Sequence, residues 1–482
     1  MIIWGINDSS HDASLSVIRH GEILFAGHSE RYDKNKNTYR ISAGLIDEAM
    51  SYGSPELIGY FERRWQKKLR TWGFGGVNGD YQNLYLKHFP SLKNVPEVQV
   101  PHHKSHACAG YLTSSFTDAT IVVVDAIGEF ECTTIWDGNK GNLKKIASFK
   151  YPLSFGLFYS AFTKLLGLKP GTEEYILMGM AAFGDSEKYR NQVNSYFPRF
   201  DYQPESMHRG VPDWSVPIDD EQTRFDIAAS VQDVYVARLL ELMRVARRRG
   251  RSRNLVFMGG CALNCSANTR LIDMWDDIWI MPNPGDSGSS LGAASTLYGR
   301  PIDWTGPYLG HNISGNYPVE DILFHLSNSG IVAVANGRAE FGPRALGNRS
   351  ILADPRSLGM KESVNSIKRR EPFRPFAPVI RECDASEWFE LEKPSPYMQF
   401  AVKCRRPHQI PAVVHEDGTS RVQTLSRSQH PGLYEVLTRW GEKTGVPVLL
   451  NTSLNIKNQP LLNDMHDVEV WRKLNETVAL VC

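Results

Sequence analysis

Three histidines fall within five residues in the stretch Pro101-His102-His103-Lys104-Ser105-His106. On a helix, His102 and His106 stand one turn apart on the same face. That spacing lets two neutral imidazole nitrogens converge on one cation, and imidazole suits zinc, iron, copper and nickel. Shortly afterwards the apolar run Ile121-Val122-Val123-Val124 ends in Asp125. Two imidazoles and a carboxylate from the end of a buried strand make a facial ligand set with open positions. The plainer alternative is a histidine pair that caps a helix or bonds to backbone. Asp286, ahead of the small-residue run Leu291-Gly292-Ala293-Ala294, suits either a fourth ligand or a helix N-cap.

Strands and loops must carry these groups, and the sequence repeats one arrangement of them. Ile2 to Ile6 reads as a strand, Asn7-Asp8-Ser9-Ser10-His11-Asp12 as a polar loop, Ala13 to Ile18 as a strand, His20-Gly21 as a turn and Glu22 to Ala26 as the returning strand. The same order recurs with Ile121 to Val124, the loop Asp125 to Glu129, Cys132 to Trp136, the turn Asp137-Gly138-Asn139 and Leu143 to Ser148. Two copies of one unit predict a duplicated α/β domain of the actin/hexokinase/ribonuclease-H-like kind. In it, His11-Asp12 and Asp125 would line one cleft from opposite sides. Between the copies, Leu57, Phe61, Trp65 and Leu69 have helical spacing among Arg63, Arg64, Lys67, Lys68 and Arg70. This is a solvated helix face or, alternatively, a local phosphate-binding surface.

Further along, Ser154 to Leu168 predicts a helix, Gly171 to Tyr175 and Met178 to Gly184 a glycine-punctuated loop, and Phe225 to Arg248 a long amphipathic helix with an arginine-rich last turn that suits the negative helix end. The strand Asn254 to Met258 runs into Gly259-Gly260-Cys261-Ala262-Leu263-Asn264. Paired glycines after a strand let backbone approach a nucleotide closely. From about Gly310 the texture changes. Arg338 to Arg349 packs in three arginines and two glycines besides Phe341, and Lys368-Arg369-Arg370-Glu371-Pro372-Phe373-Arg374-Pro375 follows. Arginines held by prolines and aromatics, among them Arg344, Arg349, Arg370 and Arg374, suit bidentate phosphate or carboxylate recognition. Pro447 to Leu450 reads as a strand ending in Asn451-Thr452-Ser453-Leu454-Asn455, a polar loop able to complete a nucleotide site.

The bulk properties narrow the classes. A chain of 482 residues is long enough for two or three domains. A formal net charge of +1 provides no global field toward nucleic acid or membrane. The start Met1-Ile2-Ile3-Trp4-Gly5 lacks a basic leader region, no apolar run approaches membrane-spanning length, and seven scattered cysteines lack a CxxC pair. These features predict a cytoplasmic protein with free thiols and no membrane partner.

Taken together, the SHDAS box around His11, His102 to Ala107, Asp125 to Glu129, Met178 to Gly184, Gly259 to Asn264, Asn283 to Ala294, FGPRALGNRSILADPR from Phe341, REPFRPFAP from Arg370, His415 to Gln423 and Leu450 to Asn455 resemble the O-carbamoyltransferases of the nodulation-factor, tobramycin and cephamycin type. The resemblance spans nearly the whole chain. It implies a metal-binding, ATPase-fold domain like that of tRNA threonylcarbamoyladenosine synthesis over residues 1–310 and an α/β YrdC-like domain over 311–482. In such proteins the YrdC-like part binds carbamoyl phosphate and ATP and makes carbamoyl-adenylate; the other part transfers the carbamoyl group to a hydroxyl at a divalent metal, often iron, with zinc, manganese or magnesium as alternatives. His102, His106, Asp125 and Asp286 match the metal ligands. His11 matches the transfer-site histidine, with Asp12 and His103 as companions in the candidate catalytic set. Gly128, Gly259, Gly260 and Asn264 stand at nucleotide positions. Lys368 and Arg370 match a KxR motif, Ser453 and Asn455 an SxN motif, and Arg344, Arg349, Arg374 and Asn451 join them on chemical grounds. Ile176 stands where relatives commonly carry lysine.

The implied acceptor is a small-molecule hydroxyl on a sugar, nucleoside or natural-product core. Carbamoylation or threonylcarbamoylation of a nucleic-acid base is the alternative, supported only by the basic stretches Arg63 to Arg70 and Arg244 to Arg253. A non-enzymatic actin-like nucleotide-binding module is a third. A homodimer is left open.

Overall fold

Ile2–Asn7 (β1) is buried along nearly its whole length because it lies inside a sheet. It pairs antiparallel with Ser14–Arg19 (β2) and parallel with Leu57–Phe61 (β4). Glu22–His28 (β3) extends the hairpin and Glu97–Val100 (β5) continues the parallel side, which gives the order β3-β2-β1-β4-β5. A second sheet repeats this plan. Asp118–Gly128 (β6) is its central strand, with Glu131–Asn139 (β7) and Asn142–Lys150 (β8) antiparallel on one side and Asn254–Met258 (β9) and Asp277–Trp279 (β10) parallel on the other. The matching orders identify the duplicated actin/hexokinase/ribonuclease-H-like fold. The computed structural model describes residues 1–9, 11–73, 84–197, 207–371, 373–455 and 459–482. Ser10 of the SHDAS box and Pro372 of the REPFRPFAP stretch lie outside the described residues.

Two helices hold the halves of this first unit together. His102–Thr113 follows β5, and Ser289–Tyr298 lies against it. Ser105 Oγ donates to the Ser289 carbonyl at 2.7 Å, and Ser14 Oγ donates to the Ser287 carbonyl at 2.7 Å. Small hydroxyls let the backbones approach while every polar atom used is paired.

Two local expectations are corrected. Leu57 and Phe61 do not share a helix with Trp65 and Leu69. Leu57–Phe61 is a strand buried between β1 and β5, and the helix is Arg64–Gly73. A short apolar run satisfies both periods, and parallel pairing on both sides decides for the strand. Residues expected in a glycine-punctuated loop include the helix Glu174–Met180, in which Ile176 is buried. The long helix is Glu221–Arg249, capped by the Asp220 carboxylate, which accepts from Thr223 N–H. The stretch 185–220 before it holds the short helix Arg190–Ser195, and residues 198–206 lie outside the described residues.

A second compact unit comprises Thr305–Cys482 with the segment Glu30–Lys36. Arg31 donates to the Gly342 carbonyl at 2.9 Å, and Lys34 pairs with Asp467 at 2.5 Å. Tyr308–Ile313 (β11) pairs with Gly337–Glu340 (β13). A seven-stranded mixed sheet is built from Ile331–Ala335 (β12), Arg349–Ala353 (β14), Ala377–Arg381 (β15), Phe400–Lys403 (β16), Thr419–Leu425 (β17), Val448–Ser453 (β18) and Leu480–Val481 (β19), in the order β16-β17-β15-β18-β14-β12-β19. Its core joins Val332, Val334, Leu352, Val379 and Leu449 to Leu433, Val436 and Trp440 of the helix Pro431–Thr444. No helix among the described residues is long and apolar enough to cross a membrane.

Candidate functional site

In the first unit the chemistry gathers where strands end. Asp125 lies near the end of β6, His102 opens the helix after β5, and Asp286 begins the turn ahead of Ser289–Tyr298. One ligand atom from each of His102, His106, Asp125 and Asp286 lies within 4.8 Å of the others. His102 Nε2 is 3.0 Å from Asp125 Oδ2 and 3.4 Å from Asp286 Oδ1; His106 Nε2 is 3.5 and 3.2 Å from the same two oxygens. Both rings are buried. Asp286 does not cap the following helix with its side chain; its Oδ1 instead faces both imidazoles.

Electrostatics fit this donor set to a cation. Burial works against a charged His102, yet the charge of Asp286 and the bonds to Asp125, Asp286 and Glu62 hold its pKa well above the usual value. Burial also works against ionised Asp125, and the two imidazoles hold it well below its usual value. Buried charges of one sign demand a counter-charge. Protons on the imidazoles meet that demand where a divalent ion would meet it better, and two imidazoles with two carboxylates fit a first-row divalent metal.

Gly128 has a clear duty here. A Cβ at that position would lie 2.2 Å from the His102 ring, so only glycine lets β6 pass the imidazole. Gly259 has φ of +92°, and a Cβ there would lie 2.1 Å from the Val124 carbonyl oxygen. Both glycines are thus explained by packing inside the protein. Gly260 sits beside Asp125 Oδ1. Asn264 caps the short helix Cys265–Thr269 and exchanges two 3.0 Å bonds with Gln232, which occupies most of its amide.

His11 stands half-exposed with Nδ1 2.7 Å from Asp12 Oδ2, while Asn37 donates to Asp12 Oδ1 at 2.6 Å. Burial opposes charge on His11, but the Asp12 hydrogen bond and charge, then Asp286 and Asp125, push its pKa up to about 9. The loop is tied to the ligand set by Asn7, whose amide lies 3.1 Å from each of the carbonyls of His11, Asp12 and Asp286. His103 is a correction. It points away from its neighbours: Nε2 donates to the Glu131 carbonyl at 3.1 Å and Nδ1 accepts from Thr134 at 3.0 Å. Both nitrogens are spent, and burial with the His102 and His106 charges pushes its pKa well below the usual value. It is a neutral core histidine, because adjacent helical residues face different directions.

In the second unit, Lys368 Nζ donates to the Ser453 carbonyl (2.5 Å), Ser453 Oγ (2.9 Å) and Asn455 Oδ1 (2.5 Å). Burial pushes this ammonium well below its usual pKa, and Arg370, Arg374 and Lys36 push the same way. Arg370 is braced by Asn365 at 2.7 Å and lies over the Phe376 ring; Arg374 faces Glu371 at 3.4 Å, and Arg344 is half-buried. Arg349 is a correction. It is fully buried, and its guanidinium donates to the carbonyls of Asn336, Gly337, Asn348, His311 and Asn463. No donor pair is left for an anion, because these loops need their carbonyls satisfied. Asn451 is likewise buried, with its amide on Ala345 and Gln423.

Nothing in the sequence singled out Glu62, whose Oε2 accepts from His102 Nδ1 at 2.9 Å, or Asn7. The available signal was position: both stand at the ends of strands, as Asp125 does.

Comparison with known proteins places the chain in a family. The family models described as carbamoyltransferase N-terminus and carbamoyltransferase C-terminus match residues 80–295 and 324–481. Nodulation protein U of Rhizobium tropici is 36% identical over 98% of this chain and 94% of its own. The 3'-hydroxymethylcephem-O-carbamoyltransferase of Amycolatopsis lactamdurans is 27% identical over 96% of this chain and 94% of its own. Among solved structures, component A of (R)-2-hydroxyglutaryl-CoA dehydratase from Acidaminococcus fermentans aligns over 61% of this chain and 97% of that one, at 14% identity and a TM-score of 0.36. The two matched models and the full-length relatives show that this chain belongs to the carbamoyltransferase family.

Proposed function

We propose that the protein is an O-carbamoyltransferase acting on a hydroxyl of a small-molecule acceptor, with carbamoyl phosphate and ATP as co-substrates. Carbamoyl phosphate, ATP and water would give carbamoyl-adenylate, phosphate and pyrophosphate; the adenylate and the acceptor hydroxyl would then give the carbamate ester and AMP. The observation that carries this reading is the convergence of His102, His106, Asp125 and Asp286 in a member of the carbamoyltransferase family.

Each step has residues suited to it. Lys368, Arg370 and Arg374 form a partly buried cluster of like charge, which phosphate groups would relieve. The four converging side chains would hold a divalent metal, iron being the first expectation, and such an ion supplies Lewis-acid polarisation of a carbonyl when bound. His11 presents Nδ1 to Asp12 and lies with Nε2 near Gly171. As an imidazolium it would donate from Nε2 to the carbamoyl oxygen and orient the group for the acceptor.

The nucleic-acid alternative draws less support. Arg64 is spent on Glu97, Arg70 on the carbonyls of Ile127 and Glu129, and Lys67 on Glu62. The test is incubation with carbamoyl phosphate, ATP, a divalent metal and a panel of sugars, nucleosides and hydroxylated natural-product cores, followed by mass spectrometry. Pyrophosphate, carbamoyl-adenylate and a carbamoylated acceptor are expected. Absence of adenylate and pyrophosphate across several metals would overturn the reading.

A further inference from the structure

The imidazole of His102 has two nitrogens, and only Nε2 faces Asp125 and Asp286. Nδ1 is 2.9 Å from Glu62 Oε2, and the Glu62 side chain is 4% exposed. The other oxygen, Oε1, is 2.8 Å from Lys67 Nζ. Lys67 Nζ also donates to the Ser9 carbonyl at 3.1 Å, in the loop that carries His11. A carboxylate on one ring nitrogen settles which nitrogen keeps its hydrogen and leaves the other as a lone pair. A continuous chain therefore runs from Nε2 of His102 through Glu62 and Lys67 to the His11 loop.

We propose that Glu62 is a positioning residue, held in place by Lys67, that fixes the tautomer and ring plane of His102 so that Nε2 presents a lone pair to a divalent cation. This rests on the reading of His102 as a ligand given above. The position is built for the task. Glu62 directly follows β4, a strand buried between two parallel neighbours, so its backbone is fixed. The Phe61 ring lies 4.5 Å from the His102 ring, so the imidazole is packed as well as hydrogen-bonded. Lys67 supplies the counter-charge that a buried carboxylate requires. Lys67 also links the orientation of His102 to the loop of His11, two groups that must act on one carbamoyl group.

The test uses cobalt(II), whose visible absorption reports ligand number and geometry, titrated into the full chain and its variants in competition with a chelator. Wild type is expected to bind and to show a ligand-field spectrum. Glu62→Leu is expected to bind about 10–100-fold more weakly. Glu62→Gln, which still accepts the ring N–H but lacks the charge, is expected to fall between the two, with a shifted spectrum. If Glu62→Leu fails to fold by circular dichroism, the isosteric Glu62→Gln decides alone. Unchanged cobalt affinity and spectrum in a folded variant would overturn the inference while leaving the metal reading in place. Failure of wild type to bind cobalt, zinc or iron(II) would overturn both.

Discussion

His102 and His106 face one another Nε2 to Nε2 at 3.2 Å inside the protein, with Asp125 and Asp286 closing the other sides. Two neutral imidazoles cannot each offer a lone pair to the other at that distance without a proton or a cation between them. The pair thus calls for a shared proton or cation between the two rings.

One divalent ion should bind per chain. Asp125→Asn and His106→Ala should each reduce that stoichiometry to none, measured by elemental analysis after gel filtration. At a free metal concentration of 100 times Kd, binding should stabilise wild type by about 2.7 kcal/mol, seen as a rise in Tm. Neither variant should show that rise.

Gly128→Ala should destabilise the fold and weaken metal binding together. The added Cβ would meet the His102 ring at 2.2 Å. Overpacking of this kind costs about 1–3 kcal/mol. Thermal melts with and without metal would separate the cost to the fold from the cost to the ligand. A variant as stable as wild type would contradict the packing described.

The Asp12–His11 pair gives a pH dependence of known sign. The folded-state pKa of His11 is raised from 6.5 to about 9. Stability from this group is fully present below pH 6.5 and is lost as pH rises through about 9. The difference in Tm between metal-free wild type and His11→Ala should therefore shrink as pH rises across that window. A difference that grows with pH would show that His11 is not held as an imidazolium.

Much of the first unit was legible because its signals are local. The hairpins after β1 and β6 are marked by alternating runs and by the turns His20-Gly21 and Asp137-Gly138-Asn139, and their repetition disclosed the duplication. Among the described residues, His102, His106, Asp125 and Asp286 were legible as chemistry-bearing types and proved to converge. Direction was harder to read. His103 shares a motif with His102, yet its ring turns toward Thr134, which only the third dimension shows. Arg349 shares a motif with Arg344, yet loop carbonyls claim it. Leu57 to Phe61 satisfied a helical period, and its two strand neighbours, distant in sequence, overrode that.

The most direct test of the division of labour compares His106→Ala and Lys368→Ala with wild type, all supplied with labelled carbamoyl phosphate, ATP, metal and an acceptor that wild type carbamoylates. Carbamoyl-adenylate and carbamoylated acceptor would be followed separately by mass spectrometry. His106→Ala is expected to form the adenylate without carbamoylating the acceptor, and Lys368→Ala to form neither. A folded His106→Ala protein that still carbamoylates the acceptor, or that loses both steps together, would contradict the account.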